Sequence, residues 1–548
     1  MKTKVITIFA ALAAGLLFIS SCNNELDIEK KGNLGKVEDA YGTDENALAA
    51  VATCYQMWGF ELFELQNILD NLSDDMWTGG GGSTDYYELQ TLNRFMFGSD
   101  NSAVTARFTH LYTLIYDANL ILEYVTKNET ITPVMKQVIS EAYFFRGWAY
   151  LYLGAAWGNV PIVDHLLSPS EYSLTNNTQA EVLAQSVADL KAAIDYGGLP
   201  SKSSKGDVQK RITREAAYAF LGKAYVFAGD YSSAATALGN VIDSNLYDLE
   251  PTDKYGDILK PATKNGPEVI ASRYMITGTE IQDWGAPQGI PNYYSDGVER
   301  GWRNDHFDWA AANAVSPVIQ TIMPGYGECT PRASLYNDMK AWETAQGSTS
   351  LSRLKQTIVD KEWMEANGMT LTDVFWGNEG FWNFKNRFLI EEVNSNYGYG
   401  GWNVWINNEW RAMRYSEVLL LAAEAYLQSG NTAKATDCLN KVRTRAGENA
   451  VGAATMDLIK NEKRFELCFE GCRFLDLVRW GEANTRLKDQ GKVIKGLKTD
   501  WSVYDAGTFA NAGFVQGKNE LLPIPETELL VNPNIKQNPG WGSGSEEE

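Results

Sequence analysis

Apolar side chains return every three or four residues through most of this chain, the spacing that places them on one face of an α-helix. The pattern covers Asp44 to Phe63, Ala106 to Val125, Val134 to Trp157, Asn176 to Tyr196 and Thr213 to Val241. It resumes at Glu409 to Ser429, Thr432 to Arg445 and Met456 to Trp480. Between Ser244 and about Asn408 it lapses, and Gly, Pro, Asn and Trp take over. The pattern predicts a mainly α protein: a helical scaffold over residues 44–243 and 409–548, and an irregular, loop-rich lobe over 244–408.

Two of the helical stretches repeat one another. In LGKAYVFAGDYSSAATAL, Tyr225, Gly229, Ala234 and Leu238 follow Gly222 at +3, +7, +12 and +16. In LAAEAYLQSGNTAKATDCL, Tyr426, Gly430, Ala435 and Leu439 follow Ala423 at the same four offsets. This is the spacing of a tetratricopeptide helix pair. Small residues at the origin and at +12 let two antiparallel helices approach, the tyrosine fills the groove between them, and the glycine ends the first helix. A partial copy begins at Gly147 and Tyr150. The scaffold is therefore predicted to be a broken superhelix of such pairs.

The start of the chain stands apart. Two lysines in Met1–Lys4, an apolar run from Val5 to Ile19 and small residues after it predict a signal peptide over residues 1–21. The run is short for a membrane span. Ile19-Ser20-Ser21-Cys22 resembles a bacterial lipobox, with Cys22 as the lipidated residue. Acyl chains there would hold the protein on a membrane, each buried methylene contributing ~0.8 kcal/mol. Residues 22–43 are polar and charged, as expected of a tether.

Several chemistries find little support. A net charge of −21 disfavours nucleic acid as a partner. Besides Cys22 there are five cysteines, Cys54, Cys329, Cys438, Cys468 and Cys472, too few for a disulfide scaffold and without a CxxC pair for zinc. The three histidines, His110, His165 and His306, form no HExxH motif, and His110 lies in an amphipathic helix where packing is expected. The glycine run in SDDMWTGGGGSTDYYELQ, Ser73 to Gln90, has no GKS or GKT after it and is not a P-loop. No metal and no cofactor is expected. A glycosidase needs only two carboxylates, so composition leaves that activity open. Asp74, Asp75, Asp305 and Asp308 lie close to tryptophans along the chain and suit hydroxyl binding equally well.

Five motifs in order resemble the SusD/RagB family of outer-membrane nutrient-binding lipoproteins. RFTHLYTLIYDANLILEYV, with Asn119, is similar to an early helix of that family. EAYFFRGWAYLYLGAAWGNVPIV, WRAMRYSEVLLLAAEAYLQSGN and NEKRFELCFEGCRFLDLVRWGEA follow, and LLPIPETELLVNPNIKQNPGW closes the chain. Cys468 and Cys472 are modest departures inside the fourth motif. Arg464, Glu466, Glu470 and Arg473 recur in it at helical spacing, which predicts ion pairs along one face, and Trp480 is expected to pack. The resemblance implies a cell-surface receptor without catalytic activity. It would bind a polysaccharide or oligosaccharide and sit on a SusC-like TonB-dependent transporter at the outer membrane. Some members bind peptides, so a peptide- or protein-binding surface lipoprotein is the alternative.

The glycan reading gives the aromatics a purpose. The chain holds 17 tryptophans, 27 tyrosines and 21 phenylalanines. A sugar ring has an apolar C–H face that stacks on a flat side chain, removing area from water at ~25 cal/mol per Å². Trp77, Tyr86 and Tyr87 flank the glycine run. Trp284, Tyr293, Tyr294, Trp302 and Trp309 lie in loop-like sequence of the middle lobe. These eight form the expected platform, in the order Trp77, Trp284, Trp309, Trp302 and then the tyrosines. Trp376, Trp382, Trp402, Trp405 and Trp410 rank lower, being closer to the resumed helices. Acidic charge and many tryptophans favour a neutral, flat backbone such as a β-glucan or xyloglucan.

Overall fold

The computed structural model describes residues 40–204, 210–264, 266–273, 300–392 and 410–542. The N-terminal scaffold holds α1 (Asp44–Asn71), β1 (Met76–Gly79), α2 (Tyr87–Asn93), α3 (Ser102–Tyr124), α4 (Pro133–Tyr152), α5 (Gln179–Asp195), α6 (Arg214–Phe227) and α7 (Tyr231–Asp243). Most start at a side-chain cap: Thr43, Asn101, Thr132, Thr178, Thr213 and Asp230 each accept a backbone N–H of the first turn. Pro133, just inside α4, has no N–H to leave unsatisfied there.

The middle of the chain carries β2 (Val269–Ser272), α8 (Trp309–Val315), β3 (Ile322–Met323), β4 (Glu328–Pro331), α9 (Ala333–Ala345), α10 (Ser352–Thr357) and β5 (Ile358–Asp360). There follow α11 (Lys361–Ala366), β6 (Phe375–Trp376), β7 (Phe381–Asn383) and β8 (Phe388–Leu389). The C-terminal part adds β9 (Arg411–Arg414), α12 (Tyr415–Gln428), α13 (Thr432–Arg445), α14 (Met456–Glu466), α15 (Arg473–Arg479) and α16 (Ala483–Leu487). A hairpin of β10 (Val493–Leu497) and β11 (Val503–Thr508) and the short α17 (Glu526–Val531) complete it.

The predicted repeat is present as two helix pairs, α6 with α7 and α12 with α13. A Cβ on Gly222 would fall inside the Leu238 side chain, so only glycine permits that approach. Gly229 and Gly430 end the first helices at φ +76° and +87°. The pairs also pack on each other through α7 and α12. The Tyr426 hydroxyl lies 2.9 Å from where a Cβ on Gly239 would stand, so the tyrosine of the second unit seats against the first. The partial copy at Gly147 is a third close contact, α4 on α5, with a Cβ there 2.8 Å from Leu190. One hydrophobic core runs through both scaffold segments, from Ala47 to Ile535. Cys54, Cys329, Cys438, Cys468 and Cys472 are all buried.

The closing motif ties the tail to the N-terminal scaffold. Asn538 donates to the Trp157 and Leu522 carbonyls at 2.6 and 2.8 Å, and Trp541 Nε1 donates to the Leu521 carbonyl at 2.8 Å. Asn119 of the early motif receives Arg146 Nη1 at 2.7 Å while Arg146 grips Asp189 with two further bonds.

The fourth motif departs from the expectation of ion pairs along one helix face. Its helix ends at Glu466, because Phe469 and Gly471 take φ +64° and +72°. Its charges pair across elements instead. Arg464 reaches Asp75 (2.7 Å) and Asp338 (2.8 Å), Arg473 reaches Asp74 (2.8 Å), and Glu470 meets Arg414 (2.7 Å) and Lys385 (2.5 Å). Trp480 does pack, donating to Glu424 at 3.1 Å.

Around Glu466 these pairs merge into a buried network joining α9, α10, α13, α14 and β9. Burial alone would raise the Glu466 pKa, but Arg445, Arg414, Arg353 and Lys385 overcome it and hold the carboxyl at about 2. Glu448 goes the other way. Burial first, then the neighbouring Glu462, push it up to about 9 despite Arg353 at 2.6 Å. The folded protein thus keeps a proton on Glu448 that the unfolded chain releases near its ordinary pKa. Between those two values the unfolded state binds fewer protons, so this group removes stability as pH rises. Glu448→Gln is expected to match the wild-type urea midpoint at pH 5 and exceed it at pH 8, gaining at most roughly 1 kcal/mol per pH unit. Equal midpoints at both pH values would contradict it.

Candidate functional site

The glycine run continues β1, which pairs antiparallel with β4 and sets Gly79 opposite Glu328. Gly79 and Gly80 adopt φ +76° and +82°, and the Gly80 N–H donates to the Gly327 carbonyl at 3.0 Å. The Gly81 N–H donates to Asp85 Oδ2 at 2.7 Å, folding the loop back on itself. Arg303 supports it from the side, 3.6 Å from Asp85 and bonded twice to Asp305 at 3.0 and 2.6 Å. The hydrogen bonds from Arg303 hold the Asp305 carboxyl below its ordinary range.

Aromatic side chains gather on this bare backbone. Tyr87, at the start of α2, is 58% exposed, and Tyr86 before it is half-buried. Gln90, one turn on, donates to the Gly79 carbonyl at 2.8 Å and accepts from Trp376 Nε1 at 3.1 Å. Trp376 is half-buried in β6, the edge of the β11–β10–β6 sheet. Its ring and that of half-buried Phe509 both border Gly507, where a Cβ would lie 2.8 and 3.1 Å from them. A helix start, a strand and a strand end from three distant segments therefore bring Tyr87, Trp376 and Phe509 close to Gln90 and Gly507.

After Trp376 the chain turns through Gly377 and Gly380, both at positive φ, and enters β7. At this far end lies an open groove of about 370 Å³. Tyr336, Phe381 and Trp501 supply its aromatic surface, the Tyr336 and Phe381 ring centres being 4.5 Å apart. Asp360, which accepts from the Tyr336 hydroxyl at 2.6 Å, and Glu379 are among its carboxylates.

The predicted platform is only partly what the structure presents. Trp77 is 5% exposed: Arg332 stacks 3.7 Å from its ring centre, and its Nε1 donates to Glu379 at 2.8 Å. Burial pushes the Arg332 pKa down to about 10 against the pull of Glu379. Trp302 is 2% exposed, its Nε1 bonded to the Asn383 carbonyl at 3.0 Å. Both rings are core, and the expectation that they offer open faces is corrected. Trp309 is half-buried against the same core as Trp302. Trp284, Tyr293, Tyr294, Trp402, Trp405 and the lipidation candidate Cys22 lie outside the described residues. Trp382 and Trp410 are buried. Trp376 ranked low in the sequence, yet it stands beside the glycine loop; the Gly377 that follows it was the available signal.

The acidic candidates are corrected too. Asp74 and Asp75 do not face solvent. Both are buried, and Arg473 and Arg464 hold them in ion pairs. Asp308 caps α8 by accepting from the Ala311 N–H at 3.1 Å. The histidines are far apart. His110 bonds to Glu61 at 2.6 Å, His165 is exposed between Asp164 and Glu171, and His306 packs 4.8 Å from Phe375. Among the described residues no cluster of His, Cys, Asp or Glu could hold a metal ion.

Comparison with known proteins agrees in direction. A sequence model of the SusD family matches residues 328–541, and one described as "Starch-binding associating with outer membrane" matches residues 46–226. SusD-like protein P2 of Formosa agariphila is 23% identical over 539 residues, covering 92% of this chain and 94% of that protein. A SusD-like protein of Bacteroides ovatus is 23% identical, covering 98% of each chain. Among solved structures, a laminarin-binding SusD-like protein is 26% identical and superposes with a TM-score of 0.74, covering 91% of this chain and all of that one. Surface glycan-binding protein A of Bacteroides thetaiotaomicron, solved with laminarihexaose, shares the fold at 22% identity and a TM-score of 0.71, covering 90% and 99%.

Proposed function

Because the chain belongs to the SusD/RagB family, we propose that it is a surface glycan receptor whose sugar rests on the glycine-loop face. The observation that carries this is the exposed Tyr87 beside half-exposed Trp376, on backbone stripped of side chains by Gly79–Gly82. Sugar rings stack on the aromatics, and polar groups of the loop, Asp85, Asp305 and Arg303, read hydroxyls at the rim. The groove at Tyr336, Phe381 and Trp501 extends the surface for further units of a long chain.

The ligand is a neutral β-glucan, a laminarin-type or xyloglucan chain. The related structure described as laminarin-binding supports the class, and the carboxylates along the groove oppose a sulfated polymer. In this reading Cys22 carries the lipid anchor, and the receptor hands its glycan to a SusC-like TonB-dependent transporter. No described helix is long and apolar enough to cross a membrane. Binding and delivery require no catalysis.

Native-gel affinity electrophoresis tests this with protein from residue 23 onward. Laminarin or xyloglucan is expected to retard the wild type. Tyr87→Ala and Trp376→Ala are each expected to weaken binding about tenfold or more, since each removes the apolar surface on which a sugar ring would stack. Wild-type mobility unchanged by every glycan would favour the peptide-binding alternative.

A further inference from the structure

Gln90 is buried on α2, yet its side-chain amide makes its three hydrogen bonds to other segments. Nε2 donates to the Gly79 carbonyl at 2.8 Å and to the Gly82 carbonyl at 3.4 Å, the two ends of the glycine run. Oε1 accepts from Trp376 Nε1 at 3.1 Å. This position needs a group that donates and accepts at once. A carboxylate only accepts, and an ammonium or guanidinium only donates. With Nε2 spent on the two loop carbonyls, the amide oxygen is left facing the indole.

Trp376 is held at its other end as well. Its six-membered ring lies over Gly507, where a Cβ would stand 2.8 Å from Cη2 and 3.4 Å from Cζ3. Gly507 pairs with Ile494 across β11 and β10 and has no left-handed φ, so the rings beside it, and not the backbone, call for glycine there. The indole is thus pinned at its N–H by Gln90 and along its far edge by Gly507. Tyr87 stands one turn before Gln90 on the same side of α2, and none of the three amide bonds goes to it. We propose that Gln90 and Gly507 are positioning residues of the sugar-binding face, which act through Trp376 by fixing its indole at the angle on which a sugar ring stacks. Gln90 takes its own orientation from the glycine loop, so loop and indole are set as one unit. This rests on the glycan reading above. A ring fixed beforehand loses little freedom when the sugar arrives, and that saving appears as affinity.

The test is a set of double-mutant cycles on protein from residue 23 onward, which keeps every described residue. Gln90→Met, of similar length but without the amide, and Gly507→Ala are each introduced into wild type, Tyr87→Ala and Trp376→Ala. Calorimetric affinity for laminarin and for xyloglucan is measured, with the melting temperature of each protein as the check that it is folded. In wild type, each of the two substitutions is expected to weaken binding roughly three- to tenfold, the cost of ordering a freed side chain on binding. The same factor is expected in Tyr87→Ala, where an indole remains to be positioned. In Trp376→Ala the factor is expected to vanish, because no indole is left to hold. Equal losses in the Tyr87→Ala and Trp376→Ala backgrounds would mean residues that only support the fold, and would overturn the proposal. Wild-type affinity in Gln90→Met overturns it too, as does wild-type affinity in Trp376→Ala, with the glycan reading then standing on Tyr87. Should Gln90→Met not fold, Gly507→Ala carries the test, since it displaces the indole and leaves the amide in place. If wild type binds neither polymer, the glycan reading falls, and this proposal with it.

Discussion

Replacing Arg353 with alanine is expected to leave the protein unable to fold. Its guanidinium meets Glu448 at 2.6 Å, Glu462 at 2.5 Å, Glu343 at 3.2 Å and Glu466 at 3.5 Å, and none of these side chains is exposed. Removing one partner of a single buried pair costs about 3–5 kcal/mol, because the remaining charge has neither water nor counter-ion. Here the carboxylates of Glu343, Glu462 and Glu466 and the protonated Glu448 lose the same partner at once, in a protein whose whole stability is expected to lie near 5–15 kcal/mol. Some of that loss is recovered by protonation, which Glu448 already shows. Arg353→Lys keeps the charge but not the fork, and should fold with a lowered urea midpoint. Soluble expression and urea unfolding check both. An Arg353→Ala protein with the wild-type midpoint would show that the network is not what joins lobe to scaffold.

The second large effect separates four adjacent glycines. Gly79→Ala is expected to cost about 2–5 kcal/mol, the sum of a left-handed residue and a steric clash. Gly79 sits at φ +76°, and a Cβ there would run into the Gly327 carbonyl across the β1–β4 pair. That contact is backbone on backbone and cannot relax by a rotamer change. Because Gln90 bonds the Gly79 carbonyl and also Trp376, the shift should reach the aromatic face and weaken glycan binding too. Gly82→Ala meets nothing within 4 Å and is expected to stay within about 0.5 kcal/mol of wild type. Urea midpoints of the two variants decide it. Equal midpoints would mean the glycines serve flexibility alone rather than this fixed geometry.

The same contrast shows what could be read in advance. Glycine beside aromatics was visible as a loop, but which glycine is obligatory depends on Gly327, some 250 positions along the chain. Trp77 and Trp302 lie in loop-like sequence and were expected to be open. Arg332, Glu379 and Asn383 cover them. Trp376 was discounted for its nearness to helices along the chain, although it is near the glycine loop in space.

What the sequence determined by itself is what local contacts encode. Helical periodicity, caps and the Gly222 and Ala423 repeats each report on neighbours within one helix pair, so they survive translation into structure. The small residues at these positions have one use, close helix approach. Burial of an aromatic and satisfaction of a charge are different. Each is a property of everything that surrounds a side chain, and in this protein the surroundings of β1, α2 and β6 come from three distant parts of the chain. Only the tertiary structure could decide which rings became core and which stayed open.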